Sequence, residues 1–317
     1  MSNTPWASFC MTTYKRPAFL KIQLEILLKQ TFTNFEIVIA DNDPLGSGKN
    51  IVDLFNDKRI KYERNIDNLG MIKSYNKSIE RAEGDFIVMV TDDDPVFENM
   101  LDFFYNIYKS YPNFSVYGAV KRTKTSDGAI EIIDKKDFMS EILDSRLSQE
   151  LHWSSFLLKR TTLLEIGKLP DFVSGHLVDH VLLSIMGSKN GAVIINGKFS
   201  FIQLHDTNYS KTNFENYYIS SVDFYNTLTR YFHNLPNYNH NLKVIQNHMH
   251  QWFITSFFNL RKFYTVNYPN KQAVKELDEY AQKIMLLSYM GSCQKKYQLK
   301  KMIFKFKKFF LGIVGFK

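Results

Sequence analysis

The run Phe86-Ile87-Val88-Met89-Val90-Thr91-Asp92-Asp93-Asp94 decides how this chain is read. Five apolar residues in succession, three of them β-branched and none alternating with a polar one, predict a strand buried on both faces. Three carboxylates follow it at once. Two upstream runs end in the same manner. Ala7–Thr12 predicts a buried strand passing into Thr13-Tyr14, and Phe35–Ala40 predicts a second that stops at Asp41-Asn42-Asp43. Helical spacing fills the intervals. Pro17 opens an apolar-rich helix through Leu28, Lys49–Phe55 reads as a short helix before a strand at Arg59–Glu63, and Met71–Ala82 places Ile72, Tyr75, Ile79 and Ala82 on one face, with Gly84 as its stop. Strands alternating with helices imply an α/β fold whose mostly parallel sheet is covered on both faces, and ligands collect at the carboxyl ends of such strands. Acids clustered there repel one another unless a cation or donors offset them.

Downstream the pattern continues. A helix is expected near Met100–Tyr111, a strand at Phe114–Val120, a variable polar stretch from Thr123 to Gln149, a strand over Ser154–Arg160, a helical turn at Thr162–Ile166 closed by Gly167, a helix at Leu177–Gly187 and a late strand at Ala192–Ile195. Phe214–Met290 reads as mostly helical and rich in Tyr, Phe and Asn. The expected division is a catalytic α/β domain over 1–213, a helical region over 214–293 and a basic amphipathic tail over 294–317. Gly46-Ser47-Gly48-Lys49 lacks the spacing of a phosphate-binding loop and is read as solvated.

Composition excludes several classes. The chain has 317 residues, 44% of them hydrophobic and 23% charged, which is a globular balance. Two cysteines, Cys10 and Cys293, cannot build a disulfide framework or a multi-cysteine zinc site. The net charge of +8 is local. Eight lysines and no acid lie between Gln294 and Lys317; without them 32 basic residues face 32 acidic ones. A neutral body argues against nucleic acid as a partner and sets the basic segment apart. No secretory signal opens the chain, and no apolar window is long enough to span a bilayer. In the tail, Leu299, Met302, Ile303, Phe306, Phe309, Phe310 and Ile313 form one helical stripe, with Lys300, Lys301, Lys305 and Lys308 largely opposite. That pattern is expected of an interfacial helix on anionic lipid.

Adjacent aspartates after a buried strand suit a hard divalent cation, Mn²⁺ or Mg²⁺, which shares its oxygen ligands with substrate phosphates. Here the residues carry a family resemblance. Phe9-Cys10-Met11-Thr12-Thr13-Tyr14-Lys15-Arg16-Pro17 resembles the opening of the inverting family-two glycosyltransferases, which have a GT-A fold. Phe35–Asn42 resembles their second strand. Asn65-Ile66-Asp67-Asn68-Leu69-Gly70, Asn76 and Ala82-Glu83-Gly84-Asp85-Phe86 resemble the run leading to their metal motif, and Thr91-Asp92-Asp93-Asp94 sits where that motif belongs. Ser155–Arg160, Ile166-Gly167 and Asp179 resemble the acceptor-side segment that ends in the catalytic aspartate.

The resemblance implies roles. Thr12, Tyr14 and Asp41 would hold base and ribose, with Asn68 also in the nucleotide site, and Arg16 and Lys73 would reach the diphosphate. Asp92, Asp93 and Asp94 would serve donor and metal, in either of two registers: Asp92 to ribose and Asp93 to metal, or Asp94 to metal. Asp179 would be the general base, preceded by Val178 where the family often has glutamate. His205, in His205-Asp206-Thr207-Asn208-Tyr209-Ser210, would be a metal or phosphate ligand; Ile202 and Gln203 stand where an arginine is common. The implied activity is a metal-dependent inverting hexosyl transfer from a nucleotide sugar, UDP-linked, to a hydroxyl of a glycan or lipid-linked glycan. The setting would be bacterial surface polysaccharide synthesis, with the enzyme peripheral on the inner face of the cytoplasmic membrane. A nucleotidyltransferase would want a glycine after the first strand, and Thr12–Arg16 has none. A catalytically inert scaffold of the same fold would not need the acidic triplet or Asp179.

Overall fold

The structure is a computed structural model that describes residues 4–121, 125–144, 151–201, 203 and 213–313, with side chains to residue 304. Among the described residues, eight strands form one sheet: β1 Ala7–Thr13, β2 Phe35–Asp41, β3 Ile60–Arg64, β4 Phe86–Val90, β5 Val116–Ala119, β6 Ile130–Ile133, β7 Phe156–Lys159 and β8 Ala192–Ile195, in the order β3-β2-β1-β4-β7-β5-β8-β6. The first half is parallel throughout, from β3 through β2 and β1 to β4. The second half keeps one parallel pair, β5 with β8, and adds antiparallel ones, so the sheet is mostly parallel as expected but mixed. β7 runs antiparallel to both β4 and β5, and β6 runs antiparallel to β8 at the edge. A continuous apolar run buried on both faces looks alike in either direction, which is why Phe156–Lys159 did not declare its polarity.

The described helices of this sheet unit are α1 Pro17–Leu27, α2 Lys49–Val52, α3 Met71–Arg81, α4 Met100–Ser110, α5 Phe138–Ile142, α6 Arg160–Glu165 and α7 Val178–Asn190. Leu20, Leu24 and Leu27 of α1 and Met100, Leu101 and Phe104 of α4 bury against Phe9, Met11, Ile37, Ile39, Val88 and Val90 of the central strands. On the expected polar stretch after Thr123 the structure has β6 and α5. Phe138, Met139 and Ile142 are fully buried there, but so short an apolar patch carries no readable period.

Gly84 does not end α3, whose last capping residue is Ala82. Its role is a close approach. A Cβ on Gly84 would lie 2.6 Å from Ser8 Oγ and 2.7 Å from the Ala7 carbonyl carbon. Gly84 N–H donates to Ser8 Oγ at 2.9 Å, Ser8 Oγ donates to Glu36 Oε1 at 2.6 Å, and Glu83 N–H donates to that same oxygen at 2.6 Å. This network ties the entry of β4 to the starts of β1 and β2, at the end of the sheet away from the aspartates.

The chain divides into two compact units, Met1–Asp206 and Thr207–Lys317. The second is helical: α8 Phe214–Phe232, α9 Tyr238–Lys262, α10 Lys271–Met285 and α11 Cys293–Ile313, with a wide turn at Phe263–Asn267. Its core holds Phe224, Leu228, Phe253, Phe257, Leu277 and Ile284. The basic segment is not a separate appendage at its start. Cys293 and Tyr297 are fully buried, Lys301 joins Arg261 on Asp278, and Lys300 lies over the Phe258 ring. Leu299, Met302 and Ile303 face outward, 57%, 54% and 47% exposed. No described helix is long and apolar enough to cross a membrane.

Candidate active site

The site lies where β1, β2 and β4 release their carboxyl ends. Lys15 adopts φ +55°, a left-handed turn between β1 and α1. That turn swings Arg16 back across the strand ends. Its Nη1 donates to Asp92 Oδ1 at 2.7 Å and its Nη2 to Asp93 Oδ2 at 2.8 Å, while Thr13 Oγ1 donates to Asp92 Oδ2 at 2.9 Å. Two carboxylates held side by side would repel, and the guanidinium offsets that charge. Burial nevertheless pushes Asp92 up to about 6, against the opposing pull of Arg16.

Asp94 goes elsewhere. Its Oδ2 lies 3.0 Å from His152 Nε2 and its Oδ1 accepts from Gln203 N–H at 3.0 Å. Among the described residues, no three His, Cys, Asp or Glu side chains converge on one cation position. Asp92 and Asp93 do fit a hard cation. They already share a positive group, and two carboxylates completed by substrate phosphate oxygens suit Mg²⁺ or Mn²⁺.

On the nucleotide side, Asp41 is fully buried and its oxygens are engaged within the protein. Asp43 N–H (3.0 Å), Gly48 N–H (2.8 Å) and Tyr62 OH (2.7 Å) all donate to it. The Gly46–Gly48 stretch, expected to be merely solvated, wraps this carboxylate, and a Cβ on Gly48 would lie 2.9 Å from Asp41 Oδ2. In this arrangement Asp41 organises its loop and is not open to a base. Thr12 Oγ1 bonds Ser74 Oγ at 2.5 Å and the Ala40 carbonyl at 3.2 Å. From Ser74 a chain continues through Asn65 (3.0 Å) and Asn42 (3.1 Å) to Asn68 (2.7 Å). Thr12 and Asn68 are thereby linked through residues that had no assigned role. Tyr14 is partly exposed, with Lys15 Nζ 5.2 Å from its ring centroid. Lys73 is not brought to the aspartates; it is a surface side chain 3.7 Å from Asp171.

Asp179 stands in the first turn of α7, just after Leu177 at φ +64°. Its side chain is 25% exposed, and burial of the rest raises it to about 6, against the opposing pull of the His180 N–H and of His152. His176 and His180 are pushed down to about 4 by burial, which leaves both uncharged near neutrality. Asp179 is thus a carboxylate raised toward 6 in the company of two uncharged histidines. His205 lies outside the described residues.

Residues 8–174 match the family Glycosyl transferase family 2. The chain belongs to that family. Among curated relatives, the glycosyltransferase GlyG of Streptococcus pneumoniae serotype 4 is 29% identical over 123 residues, 38% of this chain and 41% of that protein. The Escherichia coli UDP-Glc:alpha-D-GlcNAc-diphosphoundecaprenol beta-1,3-glucosyltransferase WfgD is 27% identical over 123 residues, 35% of this chain and 49% of that one. The matched segment therefore spans less than half of either relative. Among solved structures, S. aureus TarS 1-349 in complex with UDP-GlcNAc has TM-score 0.63 at 15% identity, covering 92% of this chain and 91% of TarS 1-349. The mannosyltransferase PcManGT from Pyrobaculum calidifontis, in complex with GDP-Man and Mn²⁺, has TM-score 0.57 at 13% identity, covering 95% and 86%. At such identities the likeness is one of fold, and the fold of this family-2 chain is GT-A-like.

His152, Thr13, Ser74, Asn42 and Gln203 are the site residues that sequence reasoning did not assign. Thr13 follows Thr12 on β1 and could have been paired with the acidic turn by the register of β1 against β4. A lone histidine before Trp153 carried no signal, because its partners Asp94 and Ser200 are 58 and 48 residues away.

Proposed function

We propose that the chain is a metal-dependent, inverting glycosyltransferase that moves a hexosyl group from a nucleotide sugar, UDP-linked, to a hydroxyl of a glycan acceptor in bacterial surface polysaccharide synthesis. The observation that carries this reading is the division of the acids into two places. Asp92 and Asp93 form a cation-ready pair at the end of β4, and Asp179 is a separate, partly buried carboxylate at the start of α7.

Asp92 and Asp93 would hold Mn²⁺ or Mg²⁺, which supplies Lewis-acid stabilisation of the charge on the departing nucleoside diphosphate. Arg16, set between the same carboxylates, is positioned to turn toward that diphosphate. Thr12, Tyr14 and Asn68 would line the nucleoside site on the floor that the Ser74–Asn65–Asn42 chain keeps rigid, with Asp41 shaping its loop. Lys73 remains a proposed phosphate contact and His205 a proposed metal or phosphate ligand. Asp179 accepts the proton of the acceptor hydroxyl as that oxygen attacks the anomeric carbon from the face opposite the leaving group. A carboxylate raised toward 6 is a stronger base than an ordinary aspartate and is still ionised at neutral pH.

The acceptor is a lipid-linked glycan, a reading supported by α11. Its outward Leu299, Met302 and Ile303 lie among lysines without acids, which suits an anionic bilayer surface on the cytoplasmic side. The proposed functional division remains catalysis in 1–213, the helical region in 214–293 and membrane contact from 294 onward.

The test is transfer itself. The full chain is incubated with UDP-glucose, UDP-N-acetylglucosamine, UDP-galactose or GDP-mannose, an undecaprenyl-diphosphate-linked sugar and Mn²⁺. A new glycosidic product of inverted anomeric configuration is expected with one of the UDP donors. EDTA should abolish it and Mn²⁺ or Mg²⁺ restore it. Full activity in EDTA overturns the metal assignment, and a retained configuration overturns the role of Asp179.

A further inference from the structure

The acidic turn is held from two sides, and the second side has its own machinery. Behind Asp94, His152 Nδ1 meets Ser200 Oγ, Ser200 Oγ lies 2.6 Å from Ser155 Oγ, and Phe199 N–H reaches Ser155 Oγ at 3.4 Å. The chemistry of the partners orients this chain. A carboxylate only accepts, so the ring proton facing Asp94 sits on His152 Nε2. With that proton in place, each donor finds an acceptor in one direction: Phe199 N–H to Ser155, Ser155 O–H to Ser200, Ser200 O–H to His152 Nδ1, His152 Nε2–H to Asp94.

The residue after His152 ties this turn to the strand from which the aspartates emerge. Trp153 packs edge-on against Tyr75 at 4.9 Å between centroids, and Tyr75 OH donates to the carbonyl of Val90, the last residue of β4, at 2.8 Å. On the far side, Ser200 is bridged to Val96, two residues after Asp94. The His152 turn, the acidic turn and residues Phe199, Ser200 and Gln203 are therefore pinned to one another at several points. Ser155 and Ser200 are almost fully buried, so water does not compete for their bonds.

We propose that His152 is a positioning residue for the acidic turn: the oriented chain from Ser155 through Ser200 and His152 holds Asp94 against the Gln203 amide and leaves Asp92 and Asp93 as the pair that takes the cation and donor. Both Asp94 oxygens are engaged, so the triplet is split by its neighbours rather than by its own spacing. The proposal rests on the nucleotide-sugar reading for its ligand, while the hydrogen-bond chain does not depend on it.

The experiment measures binding of UDP to the full chain, with and without Mn²⁺, by calorimetry. His152→Ala should weaken Mn²⁺-dependent UDP binding by about tenfold or more and leave metal-free binding within about twofold, the scale expected when an outer partner of a metal site is lost. His152→Gln, whose amide can still donate to Asp94, should recover most of the loss, and Ser200→Ala should fall between them. Unchanged binding in His152→Ala, or equal losses with and without Mn²⁺, overturns the proposal. If His152→Ala does not fold, His152→Gln and Ser200→Ala carry the same comparison, and equal behaviour of these two overturns it. A second readout needs no ligand. In ¹⁵N-histidine-labelled protein the signal missing from His152→Gln should report a proton on Nε2 and shift in Asp94→Asn. A ring protonated on Nδ1 alone overturns the chain. Failure of the wild-type protein to bind UDP under any condition, with the ring signature intact, counts against the proposed function and not against the positioning role.

Discussion

Arg16 Nη1 donates to Asp92 Oδ1 at 2.7 Å, across 76 residues of chain, with the second arm of the same guanidinium on Asp93. An internal cation thus occupies the space between the two carboxylates that the proposed metal would serve.

Removing that cation leaves two buried acids facing each other. Arg16→Ala should lower the stability of the metal-free protein by about 1–3 kcal/mol, reduced from the fully buried case because the arginine is partly exposed. Urea denaturation reads the loss. Mn²⁺ should restore more stability to Arg16→Ala than it adds to the wild type, because the ion replaces the missing charge. Equal Mn²⁺ effects on both proteins would show that the carboxylate pair is not the cation site.

The base makes a pH prediction with two parts. As the proposed base, Asp179 would act only when ionised, so kcat/KM should rise with pH through about 6. Asp179→Asn should lose about 10²–10⁴-fold in transfer with donor affinity nearly unchanged. Stability moves the other way. The folded state holds the Asp179 proton more tightly than the unfolded chain does, so its contribution is favourable below the ordinary aspartate range and is lost as pH rises through 6. Asp179→Asn should therefore be more stable than wild type above pH 6, by up to about 2 kcal/mol, and the gain should vanish near pH 4. Thermal melts across pH 4 to 8 check the sign.

Gly84 has no room for a methyl group, and two of the atoms it would strike belong to backbone. Gly84→Ala should cost about 1–3 kcal/mol through forced displacement of β1. Ser8→Ala, which removes the hydroxyl but keeps the glycine, should cost less, since it frees space and leaves only the Gly84 N–H to rebond, while the Glu83 N–H keeps Glu36 Oε1. Paired urea titrations decide between a steric and a hydrogen-bond origin.

The outward face of α11 separates membrane contact from folding. Replacing Leu299, Met302 and Ile303 together by serine should leave the thermal midpoint nearly unchanged and abolish binding to vesicles of anionic phospholipid. Tyr297→Ala, on the inward face, should lower stability by about 3 kcal/mol or more. Wild-type vesicle binding should weaken as salt rises, because surface charges are screened over about 8–10 Å. Vesicle binding that survives the triple serine change would remove the lipid reading.

Much of the fold was legible in local pattern. Phe86–Val90, Phe35–Asp41 and the helix from Pro17 could be read because strong apolar runs and a proline at a helix start express themselves within a few residues. The family and the acidic turn were legible for the same reason: a strand followed at once by Thr91-Asp92-Asp93-Asp94 is a contiguous signal. The neutrality of the body and the lysine excess of the tail were matters of counting. What only the tertiary structure decided is which side chain faces which. The sequence alone left open which of Asp92, Asp93 and Asp94 serves as the cation ligand; the partners that divide them, Arg16 on one side and His152 with Gln203 on the other, come from distant parts of the chain. The antiparallel course of β7 and the inward face of α11 were decided in the same way. Composition and period report how apolar a segment is and how its faces repeat, whereas hydrogen-bond pairing and strand polarity depend on neighbours that the fold alone brings within 3 Å.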